Sequence, residues 1–102
     1  MLAFEYEAVR HVLTAPQIAR RTAPYIRDDD FDFAGLANEA ATMSGGEALL
    51  IGVAHELWFA ERQVGLWEIV RRLDGDAFAR VLGALTHARG PRAVGEEARL
   101  AA

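Results

Sequence analysis

The sequence predicts an all-α protein, a compact single-domain bundle of about five or six helices. Apolar residues recur at the i, i+3, i+4, i+7 spacing of amphipathic helices, and no segment alternates convincingly as a half-buried strand does. The chain is 102 residues long, 52% hydrophobic and rich in alanine, which favours helices. A chain of this length supports one modest core. We expect the helical domain to cover residues 1–90.

The first predicted helix covers Ala3–Leu13. Glu5 and Glu7 lie in its first turn, and Arg10 and His11 lie near its end, which suits the helix dipole. One apolar face with helical spacing is formed by Phe4, Ala8, Val9, Val12 and Leu13.

The tripeptide Thr-Ala-Pro occurs twice after this helix, at residues 14–16 and 22–24. Threonine is a good helix N-cap, and proline is tolerated in the first turn. Two short helices over Ala15–Thr22 and Ala23–Arg27 are therefore one interpretation, and a single helix stopped by Pro24 is the other. We favour the break at Pro24.

An acidic run at residues 27–32 separates these helices from the rest of the chain. Asp32 is placed to cap a helix from Phe33 to about Thr42. The spacing of four carboxylates also matches part of a calcium-binding EF-hand loop, but the position that requires glycine is Phe33. We therefore expect a solvated linker and no metal site. The four carboxylates are Asp28, Asp30, Asp32 and Glu39.

The central buried helix of the bundle is predicted over Gly45–Ala60. Ser44 and Glu47 have the spacing of a capping box, in which each side chain accepts a hydrogen bond from the backbone amide of the other residue. The residues Ala48–Ala54 are apolar on every side of the helix, which is typical of burial all round. This run is far shorter than the roughly 20 residues that a membrane span needs. We expect no membrane association.

The residues from Ser44 to Glu47 also resemble the signature motif of ABC-transporter ATPases, in which a helix N-terminus meets a nucleotide phosphate. The likeness covers only these four residues. The chain contains no lysine, and so it has no Gly-x-x-x-x-Gly-Lys-Ser/Thr phosphate loop. We interpret the motif as a helix cap.

The last predicted unit is an αα-hairpin over Leu66–Arg89 that packs against the central helix. Between its two helices, Asp74-Gly75-Asp76 provides a glycine stop and a new aspartate N-cap. Gly90 and Pro91 end the second helix, and residues 91–102 form a tail that is frayed or a short helix. The two apolar faces contain Leu66, Ile69, Val70 and Leu73, and Phe78, Val81, Leu82 and Leu85.

The charge and composition narrow the class of protein. The net charge of −4 argues against nucleic acid or an anionic membrane as the main partner. The chain has no cysteine, which excludes disulfides and a thiol nucleophile. No secretion signal is recognisable at the N-terminus, so we expect a cytoplasmic protein. All 11 basic residues are arginine, which indicates a GC-rich, bacterial genome.

Three aromatic residues favour a protein–protein interaction: Trp58, Phe59 and Trp67. Trp58 and Phe59 point about 100° apart on a helix that is already apolar all round. A chain this short has few helices with which to cover them, and soluble monomers seldom expose large apolar patches. We therefore expect a homodimer, or a subunit or adaptor that binds another protein.

A helix-turn-helix DNA-binding regulator is the first alternative. Two helices joined by a short turn with glycine have the outline of that motif. The two aspartates of the turn would repel phosphates, and the second helix offers few donors for base edges. The feature that decides is whether four arginines share one exposed face: Arg71, Arg72, Arg80 and Arg89.

A small enzyme or ligand-binding protein centred on His55 is the second alternative. His55 with Glu56 begins like a zinc-protease helix, but the residue four positions later is Phe59 rather than a second histidine ligand. We expect a buried or half-buried histidine that is hydrogen-bonded to a backbone carbonyl. We favour a non-enzymatic role, with no cofactor and no metal.

Overall fold

The computed structural model describes residues 3–90, with side chains from Phe4 onward, and confirms the predicted all-α bundle. Across these residues there are six α-helices, one short 3₁₀ helix and no strand. The predicted tail at 91–102 lies outside the described residues. The helices are α1 (Ala3–Leu13), α2 (Ala19–Thr22), the 3₁₀ helix (Ala23–Tyr25), α3 (Phe33–Ala40), α4 (Gly45–Phe59), α5 (Leu66–Arg72) and α6 (Gly75–Arg89).

Helix α1 lies between α4 and α6 and packs extensively against both. The predicted bounds of α1 are confirmed, and its apolar stripe is fully buried apart from Phe4, which is exposed. The core residues of this helix are Ala8, Val9, Val12 and Leu13. The first helix of the chain therefore joins the two longest later helices into one core.

Helix α4 begins with the predicted capping box. The amide of Glu47 donates to Ser44 Oγ (3.4 Å), and the amide of Ser44 donates to Glu47 Oε1 (3.2 Å). The helix ends at Phe59, because Ala60 adopts a left-handed conformation with φ of 56°. Five of its residues are buried, in agreement with the prediction of a central apolar helix: Leu49, Leu50, Ile51, Val53 and Ala54.

The segment after α1 differs from the prediction in the role of its threonines. Neither the Thr14 hydroxyl nor the Thr22 hydroxyl caps a helix N-terminus, although Thr22 occupies the N-cap position of the 3₁₀ helix. Thr14 Oγ1 donates to the carbonyl of Arg10 (2.8 Å), and the buried Thr22 Oγ1 donates to the carbonyl of Leu13 (2.6 Å). The last carbonyls of a helix have no intrahelical partner, and these hydroxyls supply donors there. The chain forms two short segments, α2 at Ala19–Thr22 and the 3₁₀ helix at Ala23–Tyr25, each shorter than in the two-helix interpretation. Pro24 lies within the 3₁₀ helix, so the division comes just before it.

The acidic run forms a tight turn, with an antiparallel bridge between Ile26 and Phe31. The buried Phe31 anchors this turn in the core. Asp32 caps α3 as predicted, since its Oδ1 accepts a hydrogen bond from the amide of Gly35 (3.0 Å). Helix α3 ends at Ala40 rather than near Thr42.

The two C-terminal helices have the predicted order, but their packing differs from the prediction. An aspartate caps α6 as expected, and the structure identifies it as Asp74, whose Oδ1 accepts from the amide of Ala77 (2.8 Å). The predicted glycine stop is wrong, because Gly75 is the first residue of α6 and the extended Leu73 ends α5. Helix α6 packs mainly on α1 rather than on α4, and α5 contacts α4. Within residues 3–90, no helix has the length and hydropathy to cross a bilayer.

Candidate functional site

Large apolar side chains are exposed mainly on α5 and α6. Their exposed fractions range from 46% at Leu85 to 81% at Leu66. These positions belong to the two apolar stripes predicted for the C-terminal hairpin, except that Trp67 lies beside them. We use the name α5–α6 face for the exposed large apolar side chains of these two helices, which are Leu66, Trp67, Val70, Leu82 and Leu85. An apolar face of this kind is a feature of interaction surfaces.

A groove of about 140 Å³ crosses this region between α4, α5 and α6. Its volume is close to that of an engineered apolar cavity, about 150 Å³, that holds a benzene molecule. Seven of its eight lining residues are apolar, so the groove suits a small hydrophobic or aromatic group. The lining consists of Val53, Glu56 and Leu57 of α4, Val64 of the following loop, Leu66 and Ile69 of α5, and Val81 and Leu85 of α6.

Glu56 is the polar residue of this groove, and it also holds the loop that builds one wall. Its Oε1 accepts hydrogen bonds from the amides of Gln63 (2.9 Å) and Val64 (3.1 Å). These two bonds lower the pKa of the Glu56 carboxyl below its ordinary value. The carboxylate is therefore ionised at neutral pH and presents a hydrogen-bond acceptor at an otherwise apolar groove.

Trp67 lies outside the groove, on the neighbouring side of α5. Its side chain lines a separate surface concavity with Glu68, Arg71 and Arg72. Arg71 follows Trp67 by one helical turn, so the two side chains project from the same side of α5. The exposed indole thus has a basic flank.

The other two predicted interface residues, Trp58 and Phe59, contact aromatic rings of the same chain. The Trp58 ring meets Phe31 edge-on (centroids 5.0 Å apart) and Tyr6 edge-on (6.5 Å). Phe59 packs against Phe33 (5.3 Å) and remains about half exposed. None of the ring contacts among residues 4–90 joins Trp67 to Trp58 or Phe59, so the structure does not bring the three together.

His55 and Glu56, the predicted polar site, have separate surroundings. The His55 ring packs against Phe33 (5.4 Å) and Phe59 (4.5 Å) and is half-buried, as expected. The expected carbonyl partner is absent at Nδ1, which is buried without a hydrogen bond among the described residues. Glu56 is engaged by the loop amides instead. The arrangement offers no acid–base pair between the two side chains.

The four arginines named for DNA contact do not share one exposed face. Arg80 of α6 turns toward the end of α1, where Nε donates to the carbonyl of His11 (2.8 Å) and Nη2 to that of Thr14 (3.0 Å). Arg71 and Arg72 lie on α5 beside Trp67, and Arg89 is exposed in the last turn of α6. This placement does not favour the helix-turn-helix interpretation.

A second cavity, of about 240 Å³, lies where the N-termini of α4 and α6 approach each other. Such helix ends attract anions. Here each end already has a carboxylate of the chain, Glu47 at Ser44 and Asp74 at Ala77. The Ser44–Glu47 motif therefore serves as a cap. Within residues 3–90, no group of three or more histidines, cysteines or carboxylates is arranged to hold a metal ion.

The groove is the feature that sequence reasoning missed. Its walls come from three helices and a loop, and no sequence pattern shows which of them meet. One signal was available, because Leu66 and Leu85 each stand in an apolar stripe at a helix surface. Comparison of the chain with protein-family models, curated proteins and solved structures finds no match.

Proposed function

We propose that this protein works through protein–protein contact, with a second copy of itself as the partner. The observation that carries the proposal is the α5–α6 face, where five large apolar side chains are exposed on two helices and two of them, Leu66 and Leu85, line one groove. Removing such a face from water is favourable in proportion to its apolar area. Twofold homodimers are the commonest oligomers, and they join the same surface of both copies.

The two other functions that the sequence suggests receive less support. DNA contact by the C-terminal helices would need Arg80 on a common face with Arg71 and Arg72, whereas Arg80 is bound to the end of α1. A reaction centred on His55 would need a polar partner, whereas its ring packs against two phenylalanines. A contact between copies requires no feature beyond the exposed face.

The first test is the mass of the wild-type protein by light scattering, from low micromolar to near-millimolar concentration. We expect a monomer at the low end and a dimer at the high end. The double variant Leu66→Gln/Val70→Gln should stay monomeric and keep the helical circular dichroism of the wild type, because both side chains are exposed in one chain.

Phe59→Gln is the matched control, since Phe59 is also an exposed apolar residue but lies outside the α5–α6 face. This variant should dimerise like the wild type. A wild-type protein that remains monomeric over the whole range would overturn self-association. A dimer that survives the double variant but is lost with Phe59→Gln would place the contact at the aromatic residues of α4 instead.

A further inference from the structure

The exposed tryptophan and the groove lie on adjacent sides of the same helix. Leu66 lines the groove, and Trp67 follows it at about 100° around α5. Trp67 is 67% exposed and is not part of the groove wall. A single chain therefore has both a projecting indole and a ring-sized groove, but the indole does not occupy the groove of its own chain.

The groove and the indole match in polarity, and the groove has room for an aromatic ring. An indole is an apolar ring system with one N–H donor and no acceptor. The groove has apolar walls and one carboxylate, that of Glu56, at a volume close to that of a benzene-binding cavity. A buried tryptophan usually finds an acceptor for its N–H. The Glu56 carboxylate is such an acceptor.

The charges beside the two features are also complementary. Arg71, Arg72 and Glu68 share the surface concavity that contains Trp67, so two positive charges and one negative charge give this flank a net positive charge. Glu56 brings a negative charge to the groove. When the indole of one copy approaches the groove of another, the basic flank approaches that carboxylate. Opposite charges that meet in this way steer association and fix its register.

We propose that the two copies exchange tryptophans, so that Trp67 of each copy enters the groove between α4, α5 and α6 of the other. In this arrangement the indole Nε1–H donates to the partner's Glu56, and Leu85 of each copy packs on the inserted ring. The exchange is reciprocal, as a twofold contact requires. This inference rests on the proposed self-association and specifies its geometry.

Leu85 and Leu82 provide a matched pair for the test. Both are exposed leucines of α6, at 46% and 50%, but only Leu85 lines the groove. By light scattering, we expect Leu85→Glu to weaken the dimer about a hundredfold or more, as at an interface hot spot. Leu82→Glu, which lies outside the groove at the rim of the proposed contact, should weaken the dimer less than about tenfold. Flat packing of the two faces without insertion predicts similar losses for both variants.

Trp67 fluorescence gives a second, independent measurement. In a Trp58→Phe background, Trp67 is the sole tryptophan, because the chain has two. Insertion into an apolar groove should shift its emission to shorter wavelength as the dimer forms. Leu85→Glu should abolish this shift. If Leu85→Glu does not fold, the concentration-dependent shift decides the question alone.

The outcomes separate the two proposals. A dimer with equal losses for Leu82→Glu and Leu85→Glu, or with Trp67 emission that does not move, overturns the exchange and leaves self-association in place. A wild-type monomer at every concentration overturns both. A dimer with the unequal losses and the blue shift supports both.

Discussion

Helices α1 and α5 have the same kind of apolar stripe, but other helices cover the stripe of α1 and leave much of that of α5 exposed. In α1 the stripe residues from Ala8 to Leu13 are fully buried between α4 and α6. In α5, Ile69 packs against the core, while Leu66 and Val70 are exposed. Periodicity defines the apolar face of a helix, but burial depends on how many other helices cover that face.

The largest expected effect is on the free energy of unfolding, and truncation of a leucine should lower it much more in α1 than in α5. Leu13→Ala removes a fully buried side chain and should lower the free energy of unfolding by about 3 kcal/mol. Leu66→Ala, on the exposed side of α5, should change it by less than about 0.5 kcal/mol. Urea denaturation at low micromolar concentration measures both without a contribution from the dimer. Similar losses in the two variants would contradict the difference in burial.

A smaller effect is expected from the threonine that closes α1. Thr22→Val keeps the shape of the side chain but leaves the carbonyl of Leu13 without its buried donor, at a cost of about 1–2 kcal/mol. Thr86→Val is the matched control in α6, because the Thr86 hydroxyl donates to the carbonyl of Leu82 in a solvent-exposed position (3.1 Å). Urea denaturation should show little change for the control. Equal losses would mean that burial of the hydrogen bond is unimportant.

The contact between α1 and α6 should also make stability depend on pH. The His11 and His87 rings are 5.0 Å apart, and burial, Arg80 and His87 lower the pKa of His11. At His11 the unfolded chain therefore binds a proton more readily than the folded one. The free energy of unfolding is unaffected by this residue above the ordinary histidine pKa of about 6.5, and it decreases as the pH drops below that value. His11→Gln should flatten the fall in melting temperature between about pH 6.5 and pH 5. Parallel melting curves for wild type and variant across that range would refute the assignment.

The elements predicted correctly are those whose cause is local. The capping residues Ser44, Asp32 and Asp74 each act on an amide three residues later, so the sequence alone identifies them. Thr14 and Thr22 were predicted wrongly because their hydroxyls donate to carbonyls of α1. The partner of Thr14, Arg10, is near along the chain, but the bond closes the end of a helix rather than its start. For Thr22, the partner carbonyl is nine residues away and comes within reach only when the chain turns back.

The candidate site depended still more on distant contacts. Trp67 is predicted at an interface because a short chain has few helices with which to cover large aromatic side chains, and its indole is exposed in the structure. The same argument covers Trp58, but its ring packs against Phe31 and Tyr6, which lie much earlier in the sequence. Glu56 is predicted as part of a polar site because it follows His55 in the sequence. In the structure its carboxylate accepts hydrogen bonds from the amides of the loop that follows α4. None of these pairings follows from spacing along the sequence.

The contacts of Arg80 have a consequence for synthesis of the chain. This side chain binds the carbonyls of His11 and Thr14, which were made 69 and 66 residues earlier. A ribosome adds roughly 5–20 residues each second, and α1 leaves it before α6. Until α6 follows, the apolar stripe of α1 lacks half of its cover and these two carbonyls lack their donor. The core around α1 therefore closes only after α6 has emerged, and a nascent chain halted before Arg80 leaves the apolar stripe of α1 partly uncovered.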